Sequence, residues 1–348
     1  QCVLIAQRTY PQRTTSEPDQ DKSFRGSRDG FVETMVFNAA LIRRRIRSPR
    51  LCVEHLEVGE TSRTDVAVCY FEGRADPELV NTVRERIAQA RVDALTMNQE
   101  SLAELLVRKR WYNPFPKFKF TERPDAAAAQ ILEGDVVVLV DNSPAAIILP
   151  TTLFDVMEEA NDYYFPPITG SYLRLVRFFT TFLTTFLTPV WLEFILMEEP
   201  AQVPPLLQLL ILELAIDGLK LAALNTPNIL TTSFSMIGAI ILGDFAVQSG
   251  WFSAEVMLYM AVVAIANYNQ PNLELGYALK FMRLILLVAT GLLGLWGFVG
   301  GAALLFLVLV SNRTISGQCY LYPLVPFNGG ELKKKLLRIG SGPPERKG

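Results

Sequence analysis

The stretch Pro205-Leu-Leu-Gln-Leu-Leu-Ile-Leu-Glu-Leu-Ala-Ile-Asp-Gly-Leu-Lys-Leu-Ala-Ala-Leu224 decides how this chain folds. A helix needs ~20 mostly apolar residues to cross ~30 Å of hydrocarbon, and this stretch has the length and the leucines. It also carries three ionisable side chains. On a helix Glu213 and Asp217 lie one turn apart and Lys220 one turn further, so the three share a face. The other face is Leu206, Leu210, Ile211, Leu214, Leu221 and Leu224. Insertion costs ~2.5–3.5 kcal/mol per ionised residue at mid-membrane, hence roughly 8–10 for the three. The Leu and Ile residues return ~0.3–0.6 kcal/mol each, around 5 in all. Alone, the helix does not cross lipid comfortably. Its charged face must turn to water, to counter-charges or to another subunit. One reading is an ion pathway lined by Glu213, Asp217 and Lys220, since acidic rings favour cations. The other is a helix lying at the interface, or an inward-facing Asp217–Lys220 pair that holds helices together.

Working outward, further apolar stretches at 175–197, 229–247, 254–268, 277–296 and 298–310 predict a membrane domain of about six helices over 171–312. Gly291, Gly294, Gly297, Gly300 and Gly301 cluster where the last two meet, which fits close helix packing or one long bent segment. Between Arg174 and Arg313 the Lys and Arg residues are Arg177, Lys220, Lys280 and Arg283, each at an inner end if six spans cross. The positive-inside bias then puts both chain ends, including the basic tail 313–348 with Lys333, Lys334 and Lys335, in the cytoplasm. Asp244, near the outer end of the third span, is a candidate mouth residue of the ion pathway. Glu274, Lys280 and Arg283 lie close together on the fifth span as gating or lipid-facing charges, able to anchor lipid phosphate or to pair with the carboxylates of the second span. The polar break at 267–272 reads as a cytoplasmic turn, with the lining of a cavity as the alternative.

The first 170 residues read differently, as a cytoplasmic α/β domain. Expected elements are a helix over 30–46 capped by Asp29, strands at 51–58 and 64–71, and a helix over 77–91 with Pro at N1. A helix over 99–107, an edge strand at 115–120 and a helix over 124–132 stopped by Gly134 follow, then strands at 136–140 and 145–149. The opening run at 2–6 reads as a strand of a domain truncated at its N-terminus. Arg43, Arg44, Arg45, Arg47 and Arg50 form a basic cluster that suits anionic lipid better than RNA.

Composition narrows the chemistry. Of 348 residues 50% are hydrophobic and 20% charged, and 33 Lys and Arg face 35 Asp and Glu, so a generally basic nucleic-acid binder is excluded. Mean hydropathy is +0.24, above that of ordinary soluble domains. Four cysteines without CxxC spacing and a single histidine, His55, remove cysteine zinc sites and Ser–His or Cys–His triads. No Walker motif, nucleophile elbow or EF-hand loop occurs. Neither enzyme activity nor a metal, a cofactor or a nucleic-acid partner is expected.

Several stretches resemble the GerA family of spore germination membrane proteins, of the A-subunit type. They are Arg25-Gly-Ser-Arg-Asp-Gly-Phe-Val-Glu-Thr34, Ala40-Leu-Ile-Arg-Arg-Arg-Ile-Arg47, Thr121-Glu-Arg-Pro-Asp125 and Leu132-Glu-Gly134. In the membrane half they are Asn225-Thr-Pro-Asn228, Gly243-Asp-Phe-Ala-Val-Gln248 and Gly276-Tyr-Ala-Leu-Lys-Phe-Met-Arg283. The resemblance runs from Arg25 to Phe327. It implies a protein of the spore inner membrane that acts during germination, as a homo-oligomeric ring of five copies that conducts cations or assists their release. It also implies other germination membrane proteins and membrane lipids as partners. A nutrient-receptor A subunit and a non-conducting scaffold are the competing functions.

Overall fold

The computed structural model describes residues 14–18, 26–107, 113–159, 161–195, 203–225 and 246–337. The run at 2–6 lies outside them. The chain divides into two compact units, Gln1–Ser171 with Val310–Gly348, and Tyr172–Leu309.

The first unit is built on a five-stranded sheet. Strands β1 (Leu51–Val58), β2 (Thr64–Phe71), β3 (Lys119–Thr121), β4 (Val136–Val140) and β5 (Ala146–Leu149) lie in the order β1-β2-β4-β5-β3, and every pairing is antiparallel. The central strand β4 is Val-Val-Val-Leu-Val and fully buried. Alternate side chains point to opposite faces, so a strand covered on both sides reads as a continuous apolar run. On one face Val66, Val68, Val136 and Val138 meet Leu79, Val83 and Ile87 of α2 (Pro77–Ala88) and Leu102 and Leu106 of α3 (Gln99–Leu106). On the other, Ala67, Cys69, Val137 and Leu139 meet Met35 and Ile42 of α1 (Met35–Arg45) and Ala127 and Ile131 of α4 (Pro124–Glu133). That burial pushes the Cys69 thiol up to about 12. The edge strand expected at 115–120 is shorter, at Lys119–Thr121.

Helix α1 corrects the expected start at residue 30. It begins at Met35, and Asp29 is not its cap. The backbone N–H groups of Gly30 and Phe31 donate to the carbonyls of Ser16 (2.9 Å) and Glu122 (2.8 Å), so these residues are drawn into tertiary pairing. Buried Asn38 closes both polar groups of Val32, accepting from its N–H at 2.8 Å and donating to its carbonyl at 2.5 Å. The Met35 N–H is capped from a distance, by Asp141 Oδ1 at 2.9 Å. Asp29 instead accepts from Arg44 and Arg45, each at 2.6 Å, so part of the basic cluster is neutralised within the unit.

The Thr121–Asp125 motif forms a buried ionic knot. Arg123 is 2% exposed; its guanidinium donates to Asp125 at 3.0 and 2.6 Å and to the Ser27 carbonyl at 3.0 Å. The Tyr164 hydroxyl donates to the same carboxylate. Burial works against the Asp125 carboxylate, but the bonds from Arg123 and Tyr164 outweigh it and hold its pKa below the usual value. After the sheet, α5 (Leu153–Val156) is closed by a capping box between Thr152 and Asp155, and the short α6 (Asn161–Tyr164) follows it. Asp155 also receives Lys335 of α12 (Gly329–Leu336).

The second unit contains most of α7 (Pro167–Ile195), α8 (Pro205–Asn225), α9 (Ala254–Tyr268), α10 (Leu273–Leu293) and most of α11 (Leu295–Ser311). Trp191, Leu192, Leu209, Leu212, Val256, Met260 and Leu287 form its apolar centre. The expected fifth and sixth spans are two helices that separate at Gly294, whose φ is +57°. Gly291 makes room for Leu206, which a β-carbon would meet at 2.5 Å, and Gly301 makes room for Leu286 at 2.6 Å. Of the six expected spans, two described helices, Pro167–Ile195 and Leu273–Leu293, are long and apolar enough to cross a bilayer. Helices α9 and α11 are apolar but shorter, and the third expected span lies outside the described residues up to Phe245.

Two stability predictions follow from the first unit. Gly134 ends α4 at φ +114°, where a β-carbon would lie 2.9 Å from the Arg74 carbonyl oxygen. Gly134→Ala should therefore lower stability by at least ~1 kcal/mol, seen as a lower thermal unfolding midpoint in detergent. Because the folded pKa of Asp125 is depressed, its contribution is full above the unfolded value near 4 and is lost as pH falls below it. Asp125→Asn should flatten the loss of stability below pH ~4; an unchanged slope would show that the knot contributes nothing.

Candidate functional site

The three ionisable residues of α8 do not act as one water-facing stack. Glu213 is 3% exposed, and its Oε1 accepts from Arg283 Nε and Nη2, both at 2.6 Å. Lys280 Nζ lies 3.5 Å from Glu213 Oε2, donates to the Glu213 carbonyl at 3.2 Å and pairs with Asp217 Oδ2. Two carboxylates one turn apart on α8 thus meet two cations one turn apart on α10. Arg283 Nη1 also donates to the Thr184 carbonyl at 2.6 Å, which adds α7 to the same cluster. The arrangement is a clamp across three helices.

Lys280 and Arg283 are 5% and 2% exposed, so of the two roles expected for them lipid anchoring is corrected and pairing with the second-span carboxylates is found. They pair with the second-span carboxylates instead, because a buried cation without a partner is far costlier than a paired one. The space left among the clamp side chains is about 10 Å³, at most one water. Asp217 is the looser end: its side chain is 30% exposed, while its Oδ1 is buried without a hydrogen-bond partner. Glu274 sits exposed in the first turn of α10, where a negative charge suits the helix dipole. Asp244 lies outside the described residues.

Lys220 leaves the clamp for a different set of partners. Its Nζ lies 4.9 Å from the centre of the Tyr268 ring. The hydrogen-bond pattern orients the Asn267 carboxamide with its oxygen 2.9 Å from Lys220 Nζ and its nitrogen donating to the Gly276 carbonyl at 3.3 Å. The polar break expected at 267–272 is therefore a structured turn. Asn269 donates to Thr180 Oγ1 at 3.0 Å, Thr181 donates to Gln270 Oε1 at 3.0 Å, and Asn272 caps α10 by accepting from the Leu275 N–H at 3.0 Å. A cavity of about 420 Å³ opens beside it, lined by Lys220, Asn267, Tyr268, Gln270, Asn272, Leu273, Gly276 and Tyr277.

Sequence reasoning missed Thr184 and Gln208. Thr180, Thr181, Thr184, Thr185 and Thr188 recur at helical spacing on α7, a signal of a polar stripe. Gln208 was equally visible inside an apolar run; it donates to the Val203 carbonyl at 2.7 Å and accepts from the Ser253 N–H at 2.9 Å. A backbone carbonyl such as that of Thr184 leaves no mark in a sequence.

Comparison with known proteins places this geometry in a family. The family described as Bacillus/Clostridium GerA spore germination protein matches residues 1–342. Stage V sporulation protein AF of Bacillus subtilis (strain 168) is 42% identical over 348 residues, covering 96% of this chain and 70% of that protein. Spore germination protein KA of the same organism is 29% identical over 344 residues, covering 94% of this chain and 63% of that protein. The chain thus spans about two thirds of the length of such relatives. The crystal structure of the N-terminal domain of the A subunit of the Bacillus megaterium spore germinant receptor GerK3 is 34% identical, covering 34% of this chain and 93% of that one, with a TM-score of 0.28. The chain belongs to the GerA family of spore germination proteins.

Proposed function

We propose that the chain acts in the spore inner membrane during germination, as a homo-oligomer whose helical unit passes monovalent cations or assists their passage. In this reading both chain ends face the cytoplasm, five copies surround an axis, and other germination membrane proteins are its partners. The observation that carries it is the clamp of Glu213, Asp217, Lys280 and Arg283 between α8 and α10. A cluster of four opposed charges within helices this apolar is expensive to keep and is a functional-site signal in a membrane protein. In the arrangement described it is a closed latch. Glu213 is locked by Arg283 and holds the helices, while the partly buried Asp217 is the carboxylate that becomes free for a cation when Lys280 lets go.

The dryness of the cluster favours a second reading, a scaffold in which the clamp only fastens helices. Cation flux separates the two. In liposomes loaded with potassium, Asp217→Asn should lower flux at least tenfold while the oligomer persists by cross-linking. Normal flux in an intact Asp217→Asn oligomer supports the scaffold. In spores, loss of the response to one nutrient alone would instead mark a receptor subunit.

A further inference from the structure

We propose that the cavity beside Lys220 seats the phosphate headgroup of an anionic phospholipid. The cavity, about 420 Å³, has the size of a small-ligand site. Of the five charges gathered near the clamp, Glu213 and Asp217 offset Lys280 and Arg283, and one positive charge remains, on Lys220. Its near neighbours, the Asn267 carboxamide and the Tyr268 ring, stabilise an ammonium without neutralising it. Lys220 is the charged group among the described residues of the lining, and it gives the cavity an attraction for an anion.

The rest of the wall says which kind of anion. Tyr268, Leu273 and Tyr277 are 68%, 73% and 41% exposed, a rim of aromatic and aliphatic surface on the outside of the helical unit. Tyrosines beside a lysine are the pattern of the headgroup layer, where the ring stays in the apolar zone and the polar tip reaches water. A lipid satisfies both parts of the site, its phosphate against Lys220 and its chains along the rim. A free phosphate or carboxylate would leave the rim without an occupant. Gly276 completes the floor: a β-carbon there would lie 3.3 Å from the Asn267 carboxamide, so the glycine lets the group that orients Lys220 sit against α10.

Lipid retention by the full chain tests the site independently of any ion flux. The purified chain is exchanged into bilayer discs of phosphatidylcholine with or without phosphatidylglycerol, and retained lipid is counted by native mass spectrometry after mild delipidation. One phosphatidylglycerol per chain should be retained by the unaltered protein, and at least fivefold less by Lys220→Gln. Lys220→Arg should restore it, and neutralising Lys333, Lys334 and Lys335 together should not remove it. Should Lys220→Gln fail to fold, Leu273→Glu, which sets a negative charge on the exposed rim, should give the same loss. Equal retention of phosphatidylcholine, retention unchanged in a folded Lys220→Gln or Leu273→Glu protein, or displacement of the lipid by millimolar inorganic phosphate would each overturn the proposal.

Discussion

A buried charge in an apolar helix bundle must find its opposite, and that requirement organises the second unit. Removing one partner of a buried pair typically costs ~3–5 kcal/mol, because the other charge stays behind unpaired. The charges on α8 would make it a poor membrane helix by itself. Its two carboxylates are matched by Lys280 and Arg283 on α10, at the same one-turn spacing. Register between the two helices is thereby favoured: a slip of one turn would leave one carboxylate and one cation without a partner. Leucine packing alone would tolerate such a slip far better, since one leucine resembles the next.

Other features of the molecule serve the same need. Gly291 lets Leu206 of α8 approach α10 closely, on the same pair of helices that carries the facing charges. The Thr184 carbonyl accepts from Arg283 Nη1, the donor that Glu213 does not use. The first unit solves its own version of the problem at Arg123, buried between Asp125 and the Ser27 carbonyl. There Tyr164 adds a further bond to the carboxylate, so the motif residues 27, 123 and 125 are held by one another.

Much of the first unit was legible in the sequence. The β1–β2 hairpin, Pro77 at the start of α2, the Gly134 stop and the valine strand obey local rules of alternation, capping and turn chemistry. The start of α1 did not, because Gly30 and Phe31 spend their N–H groups on distant carbonyls. In the second unit, helical spacing put Glu213, Asp217 and Lys220 on one face and Lys280 and Arg283 on another helix. Which of them would meet was not legible. Pairing depends on how α8 and α10 are juxtaposed, and an isolated periodicity holds no information about that. Lys220 shares a face with Asp217 by spacing, yet its ammonium turns to Asn267 and Tyr268 on α9 and the turn that follows.

The claim that one chain neutralises its own membrane charges can be measured directly by a double-mutant cycle on Glu213 and Arg283, read as unfolding free energy in detergent. Glu213→Gln and Arg283→Gln should each be strongly destabilising, while the double variant should be much less so than their sum, with a coupling of about 2 kcal/mol or more. Additive effects, with a coupling near zero, would mean that the two side chains do not meet and that the carboxylates of α8 find their partners elsewhere.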